Sequence, residues 1–175
     1  RPGRDQFRSE TTVAPLARQL ARRHLDLWTL PGDGKADIDK MRVNNPEWDF
    51  MGRTFLVLSL ANMCLHEPQQ QDEYLQVMDR IIEDTDRLAQ AKGISYFLLD
   101  YANQSQFLQQ PVRSIFVDGE LAMMMGARRL VAEHEPFRER MRELVHITAD
   151  RMAVGPVLSC ESYPNECWTF CNTVA

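Results

Sequence analysis

The sequence predicts an all-α fold, and three observations carry the prediction. No segment alternates apolar and polar residues with a strand's period, while several long ones carry the period of a helix. Two of these, Asn45-Pro46-Glu47 onward and Glu135-Pro136 onward, open with proline in the first turn, where its missing N–H costs nothing. Segments apolar nearly all round also alternate with amphipathic ones: inner Trp48 to Leu65, outer Asp72 to Ala91, inner Ile115 to Val131, outer Phe137 to Ala153, inner from Trp168 onward. That order is expected of part of an (α/α)6 barrel or toroid, in which each hairpin gives one helix to an inner ring and one to an outer ring.

The bulk properties agree with a globular helical chain. Its 175 residues are 44% hydrophobic and 26% charged, with a mean hydropathy of -0.39, enough for one domain with a sizeable core. A net charge of -5 and a pI near 5.4 argue against nucleic acid as a principal partner. No apolar run approaches the roughly 18 residues that a membrane span requires. Four cysteines without small-domain spacing define no disulfide framework and leave the compartment open. The chain opens Arg1-Pro2-Gly3 without an initiator methionine, so a leader or N-terminal segment is expected to be missing. It closes at Ala175 in a helix still under way, with no glycine, asparagine or basic cap. A six-hairpin ring at ~40–50 residues per hairpin needs about twice this length. Residues 1–175 therefore read as a single-domain fragment, the N-terminal half of such a barrel, with one apolar edge bare. The remaining half would come from the same polypeptide or from a second chain.

In chain order, Arg1 to Glu10 reads as a charged lead-in. Thr11 or Thr12 is placed to cap a helix reaching Trp28, with Val13, Leu16, Leu20, Leu25 and Trp28 on its apolar side. Leu30 to Lys35 reads as a loop, and Ala36 to Asn45 as irregular or a short turn. Trp48 to Leu65 lacks a polar face and is expected to be buried on all sides, ending before Pro68. From Asp72 to Ala91 the stripe is Tyr74, Leu75, Met78, Ile81, Ile82, Thr85 and Leu88, closed by Gly93. Within it, Glu83-Asp84-Thr85-Asp86 resembles an aspartate-rich magnesium site, but the pattern sets Glu83 and Asp86 on the wet face.

Tyr96 to Tyr101 suits a short helix, followed by a glutamine-rich loop and Pro111. Ile115 to Val131 is apolar except for Asp118-Gly119-Glu120; buried acids require either arginine partners, such as Arg53, or a polar cavity. Phe137 to Ala153 turns Phe137, Met141, Leu144, Val145, Thr148 and Met152 inward and stops at Gly155-Pro156.

The last sixteen residues hold most of the unusual chemistry. Three of the four cysteines lie there, beside Glu161, Glu166, Tyr163, Trp168 and Phe170. Pro164-Asn165-Glu166 would suit a helix's first turn, putting Cys167 and Cys171 on one face and Cys160-Glu161 in the entering loop. Thiols and carboxylates at a helix start suit acid–base chemistry. The plainer reading is small cysteines filling gaps in a core.

Cys160-Glu161 followed by Cys171-Asn172-Thr173-Val174-Ala175 resembles the Cys-Glu … Cys-Asn-Ser-Val-Ala motif of the linalool dehydratase-isomerase family. Phe55 to Pro68 is similar to that family's first inner helix with its Asp-Pro ending, here Glu67-Pro68. Asp118-Gly119-Glu120-Leu121 with Met125-Gly126 resembles its Lys-Gly-His-Leu … Tyr-Gly helix. The likeness is scattered from Leu25 to Ala175.

It implies a six-hairpin α/α barrel that dehydrates and isomerises terpenoid alcohols without a cofactor. Carried over by position, the site cysteines are Cys160 and Cys171, with Cys167 a rival, and Glu161 stands beside the first. Glu120 occupies the histidine position. Asp26 stands for an aspartate that reaches a neighbouring subunit's site, which implies a homo-oligomer. Met51 replaces a tyrosine. The cysteines lie eleven positions apart, two more than in the family. Tyr163, Trp168, Phe116, Met51 and Met124 are the expected walls around a small apolar substrate.

Dehydration needs an acid for the leaving hydroxyl and a base for a neighbouring C–H proton. A desolvated Glu120 or Glu161 suits the acid, and Cys171 or Cys160 suits a base or nucleophile. Three alternatives stay open: a carbohydrate-active α/α barrel using Glu120, Glu161 and Trp168; a non-catalytic helical partner protein; and a zinc site built from Cys160, Cys167, Cys171 and His24 or His146.

Overall fold

The computed structural model describes residues 3–10, 12–29, 33–155 and 157–175, with residues 33–35 described by backbone alone. Helices are α1 (Pro15–Thr29), α2 (Asp33–Asn44), α3 (Pro46–His66), α4 (Gln71–Lys92), α5 (Ile115–Val131), α6 (Glu135–Val154) and the six-residue α7 (Thr169–Val174). Short 3-10 turns cover Pro68–Gln70, Ile94–Phe97 and Asp100–Gln104. Among the described residues there is no β-strand, only an isolated bridge between Tyr163 and Glu166.

Local sequence sets the helix limits. The Asn45 side chain accepts the Trp48 N–H at 3.1 Å, and Pro46 follows as the first helical residue of α3. The Ser114 hydroxyl does the same for α5, accepting from Val117 N. Gly93 ends α4 with φ of 87°, a conformation that glycine adopts without steric cost.

Packing sorts the helices into two layers. α3, α5 and α7 lie side by side, α4 covers the α3–α5 seam, α6 covers α5, and α1 and α2 close over α3. The apolar faces between the layers make one core, including Phe50, Val57 and Leu60 of α3, Met78 and Ile81 of α4, and Leu121 and Met124 of α5. Charged side chains tie the helices together. Arg53 of α3 holds Asp49 at 2.9 Å and Asp84 of α4 at 2.8 Å. Arg128 of α5 forks onto Asp79 at 2.6 and 2.9 Å, and Arg140 of α6 reaches Asp86 of α4 at 2.9 Å.

Several expectations are corrected. Ala36 to Asn44 is helical although its apolar periodicity is weak: α2 is held by α1 and α3, and the Arg42 guanidinium stacks 3.3 Å over the Tyr96 ring. Asp33 to Lys35, expected in a loop, form the start of α2, while Leu30 to Gly32 and Thr11 lie outside the described residues. Thr12 caps no helix; its N–H is taken by Ser9 Oγ. Tyr96 to Tyr101 divides between two 3-10 turns.

α3 is not buried on all sides: Trp48, Phe55 and Leu65 are 65%, 54% and 67% exposed, since no described element covers that face. Leu20 of α1 and Val145 of α6, both expected inward, are also exposed. Glu83 is exposed as expected, while Asp86 is half-buried by its arginine partner. No helix of the described chain is long and apolar enough to cross a membrane.

The C-terminal helix starts at Thr169, not at Pro164. Between them the chain makes a tight turn with Asn165 at φ 61°, in which Tyr163 O accepts Glu166 N at 2.9 Å and Glu166 O accepts Ser162 N at 2.8 Å. Glu161 also draws the Asn165 N–H onto its carboxylate at 2.6 Å. These bonds occupy the donors that a helical first turn would have left free. Cys167 therefore sits on an exposed loop and shares no helical face with Cys171.

Candidate functional site

The N-terminal ends of α3, α5 and α7 meet. Phe50 of α3 packs edge-on against Phe116 of α5 with centroids 5.1 Å apart, placing the second turn of α3 beside the first of α5. The 160–168 loop crosses the start of α5: Ile115 N donates to Glu161 O at 2.9 Å, and Ser114 Oγ donates to Ser162 O. Ser162 Oγ then accepts the Trp168 N–H at 3.1 Å, just before α7 begins. The Asn172 side chain braces α7 to the loop, accepting from Cys160 N at 2.7 Å and donating to Cys160 O at 3.0 Å. α7 can lie this close because Gly119 lacks a side chain; a Cβ there would come 3.0 Å from that of Ala175.

This framework gathers Cys171, Glu120, Ser162, Glu47 and Tyr163. Cys171 is buried, and burial pushes its thiol up. A Ser162 hydrogen bond opposes that shift, while the charges of Glu120 and Glu47 add to it. Glu120 is 1% exposed, and neither carboxyl oxygen has a hydrogen-bond partner. Desolvation raises it from an ordinary 4.5 to about 7. Tyr163, fully buried, donates its hydroxyl proton to Glu47 Oε1 at 2.5 Å and accepts the Leu99 N–H at 2.8 Å. Burial, then Glu47, drives the Tyr163 phenol up.

The other expected residues lie apart from this cluster or play a packing role. Cys160 turns toward α6, its sulfur 3.8 Å from Thr148 O; burial raises its thiol and the Arg151 cation opposes that. Glu161 is spent on structure: its carboxylate accepts Leu108 N at 2.9 Å, Gln109 N at 2.7 Å and Asn165 N at 2.6 Å, leaving no free role as an acid. Asp26 pairs at 3.0 Å with Arg22, which also holds Glu73, at the outer surface of α1 and α4. Asp118 pairs with Arg113, not Arg53, while Glu120 takes no partner.

Phe116 and Met124 are core residues, 5% and 0% exposed, and Met51 is half-buried against that core. Tyr163 has both faces covered, by Tyr101 at 5.0 Å and Trp168 at 4.8 Å, so it offers no stacking face to a sugar. Among the described residues no group of three or more His, Cys, Asp or Glu is arranged to hold a metal ion.

Glu47 is the residue that sequence reading missed. It reads as an ordinary first-turn acid, favourable at a helix's positive end, and its link to Tyr163 spans 116 positions. Beside the cluster, an apolar groove of about 450 Å³ runs along α5 past Gly119, Met123 and Leu130, bounded by Leu58 of α3 and Val174 of α7. A wider groove of about 1270 Å³ separates α1 from α3, between Leu20 and His24 on one side and Phe55 and His66 on the other.

Comparison with protein-family models, curated proteins and solved structures gives no significant match, so the residues themselves carry the functional argument.

Proposed function

We propose that this chain is part of an α/α barrel whose site, at the joined N-terminal ends of α3, α5 and α7, performs cofactor-free acid–base chemistry on an apolar alcohol of the terpenoid class. The dehydration or isomerisation would follow the manner of the linalool dehydratase-isomerase family that the Cys-Glu and Cys-Asn-Thr-Val-Ala motifs resemble. One observation carries the reading: Glu120 is a buried carboxyl with no partner on either oxygen, close enough to the Cys171 thiol for its charge to act there. Desolvation keeps such a group a carboxylic acid near neutrality, able to protonate a leaving hydroxyl. The neighbouring groove is lined by Ala122, Met123, Ala127 and Leu130, which suits a hydrocarbon substrate. The remaining half of the ring, from the same polypeptide or a second chain, would cover the bare face of α3, and a homo-oligomer would bring Asp26 to a neighbour's site.

The test is turnover of linalool and other tertiary and allylic alcohols, with hydrocarbon products followed by gas chromatography. Glu120→Gln and Cys171→Ser are each expected to lower the rate by about 10²-fold or more. Unchanged rates in both would remove the pair from the mechanism. A non-catalytic interaction protein is the second reading, favoured by the exposed Trp48, Phe55, Leu65 and Phe170; absence of turnover with every alcohol would support it.

A further inference from the structure

The geometry points to the outward face of α3 as the contact surface of a parallel dimer, in which a second copy of this chain lays its own α3 alongside. The inference rests on that face alone and stands apart from the acid–base reading above.

α3 has two unlike faces. The inward one is core and ion pair: Phe50, Val57 and Leu60, with Asp49 and Arg53. The outward one repeats every seven residues. Trp48, Phe55 and Asn62 mark one series, and Met51, Leu58 and Leu65, each three positions later, mark a second. That is the a and d spacing by which two helices pack knobs into holes. A straight helix drifts ~20° per heptad from this repeat, about 50° over the stretch, which a slight supercoil absorbs. None of the six is buried: Trp48, Phe55, Asn62 and Leu65 are exposed, and Met51 and Leu58 half-buried. A seam that serves the chain's own core would be covered by it.

The surroundings suit an identical helix. Leu58 borders both the α1 groove and the α5 groove, which sets it on the crest of α3 between two depressions. Gly52 and Ser59, following Met51 and Leu58, are small enough for a second helix to come close. From Trp48 to Leu65 the outward face holds no charged residue, so nothing on it repels a copy of itself. Trp48, Phe55 and Leu65, with Leu20 and Leu130 on the groove rims, each leave more than half their surface exposed. At ~200 Å² per large side chain the exposed parts come to roughly 600 Å². A standard interface takes ~800 Å² per partner, and Met51, Leu58 and Asn62 add to the total. α3 is also folded beforehand, so association need not order it.

Asn62 selects the occupant and its direction. Among the described residues its carboxamide makes no hydrogen bond. In a parallel pair it lies opposite its own counterpart, and each carboxamide donates one N–H and accepts one. In an antiparallel pair centred on the same stripe it meets Met51, whose thioether has no donor to offer. There, as against any wholly apolar helix, the carboxamide would be buried unpaired. A lone polar residue among apolar a positions sets register and helix number in this way.

Sedimentation equilibrium of the whole chain, up to about 100 μM, tests the association; a dimer dissociating at micromolar concentration or below is expected. Phe55→Glu sets two carboxylates against each other in the middle of the stripe and is expected to weaken it by about 100-fold or more. Ser59→Glu, at an exposed position clear of the core, is expected to weaken it by about tenfold. Val154→Glu, on an exposed apolar residue at the end of α6, is expected to leave it unchanged. Far-UV circular dichroism checks that each variant keeps its helices. Direction is read by cross-linking. In a Cys167→Ser background, which removes the exposed thiol, mild oxidation of Leu65→Cys is expected to join two chains through the introduced sulfurs. In an antiparallel pair the same position faces Trp48 and no such bond forms.

A chain still monomeric at about 100 μM overturns the proposal, as does a dimer that Phe55→Glu and Ser59→Glu both leave intact. A dimer in which Leu65→Cys fails to cross-link overturns the parallel arrangement and the assignment with it. A monomer whose tryptophan fluorescence shifts to the blue on phosphatidylcholine vesicles overturns it in favour of a lipid surface.

Discussion

Glu161 and Glu120 are withdrawn from solvent almost equally, 3% and 1% exposed, yet their surroundings have nothing else in common. Three backbone N–H groups from two separate loops converge on Glu161. Neither oxygen of Glu120 meets a donor. The first carboxylate organises chain, replacing its lost hydration with amides that would otherwise be orphaned themselves. The second organises nothing and costs stability, which is the condition under which a buried acid is free to exchange a proton. Burial alone therefore does not mark a reactive group. The number of fixed donors around it does.

The sharpest way to break the contrast is Glu161→Ala, which strands the amides of Leu108, Gln109 and Asn165. A loss of about 3–5 kcal/mol in urea unfolding is expected; a loss below about 1 kcal/mol would mean that water satisfies those amides and the two glutamates are alike after all.

Next in size is the pH dependence that Glu120 imposes. Its folded value near 7 lies above the ordinary 4.5, so the folded chain binds the extra proton between those limits. Its contribution is greatest below about 4.5, declines as pH rises toward about 7 and is level above, a total on the order of 3 kcal/mol. Glu120→Gln removes that decline, whereas Glu161 variants leave it in place. Stability curves collected across that pH range check both statements.

The two thiols at the same end of the molecule give the smaller effects. Cys171→Ser puts a hydroxyl in a buried site already containing the Ser162 hydroxyl and is expected to cost about 1 kcal/mol. Cys167→Ser changes an exposed loop and is expected to fall within about 0.5 kcal/mol of the parent. Thermal unfolding of the pair measures the difference.

The same contrast explains what the sequence could and could not reveal. α3, α4, α5 and α6 were legible because long stretches of regular periodicity, with Asn45, Gly93 and Pro136 at their limits, agree with their packing. α2 was not, because its pattern is weak and its neighbours hold it. The exposed side of α3 was hidden for another reason: composition records that Phe55 and Leu65 are apolar, not which covering element is present. Glu120 and Glu161 both stood out as acids in apolar context, and nothing local separated them. The amides on Glu161 at Leu108 and Gln109 come from 53 and 52 positions away. Glu47 was invisible as a site residue since its defining partner, Tyr163, drew attention only as a possible cavity wall.

Asn172 has a consequence of a different kind. Its carboxamide accepts from one peptide unit and donates to the carbonyls of Cys160 and Trp168, standing in for a missing strand neighbour. Conversion of that amide to an acid, the isosteric change that ageing proteins undergo spontaneously, would turn the donating end toward two carbonyl oxygens with only lone pairs to offer. The six-residue helix bearing Cys171 would keep the bond from Cys160 N–H but lose the donating half of its tether through the replacement of one nitrogen by one oxygen.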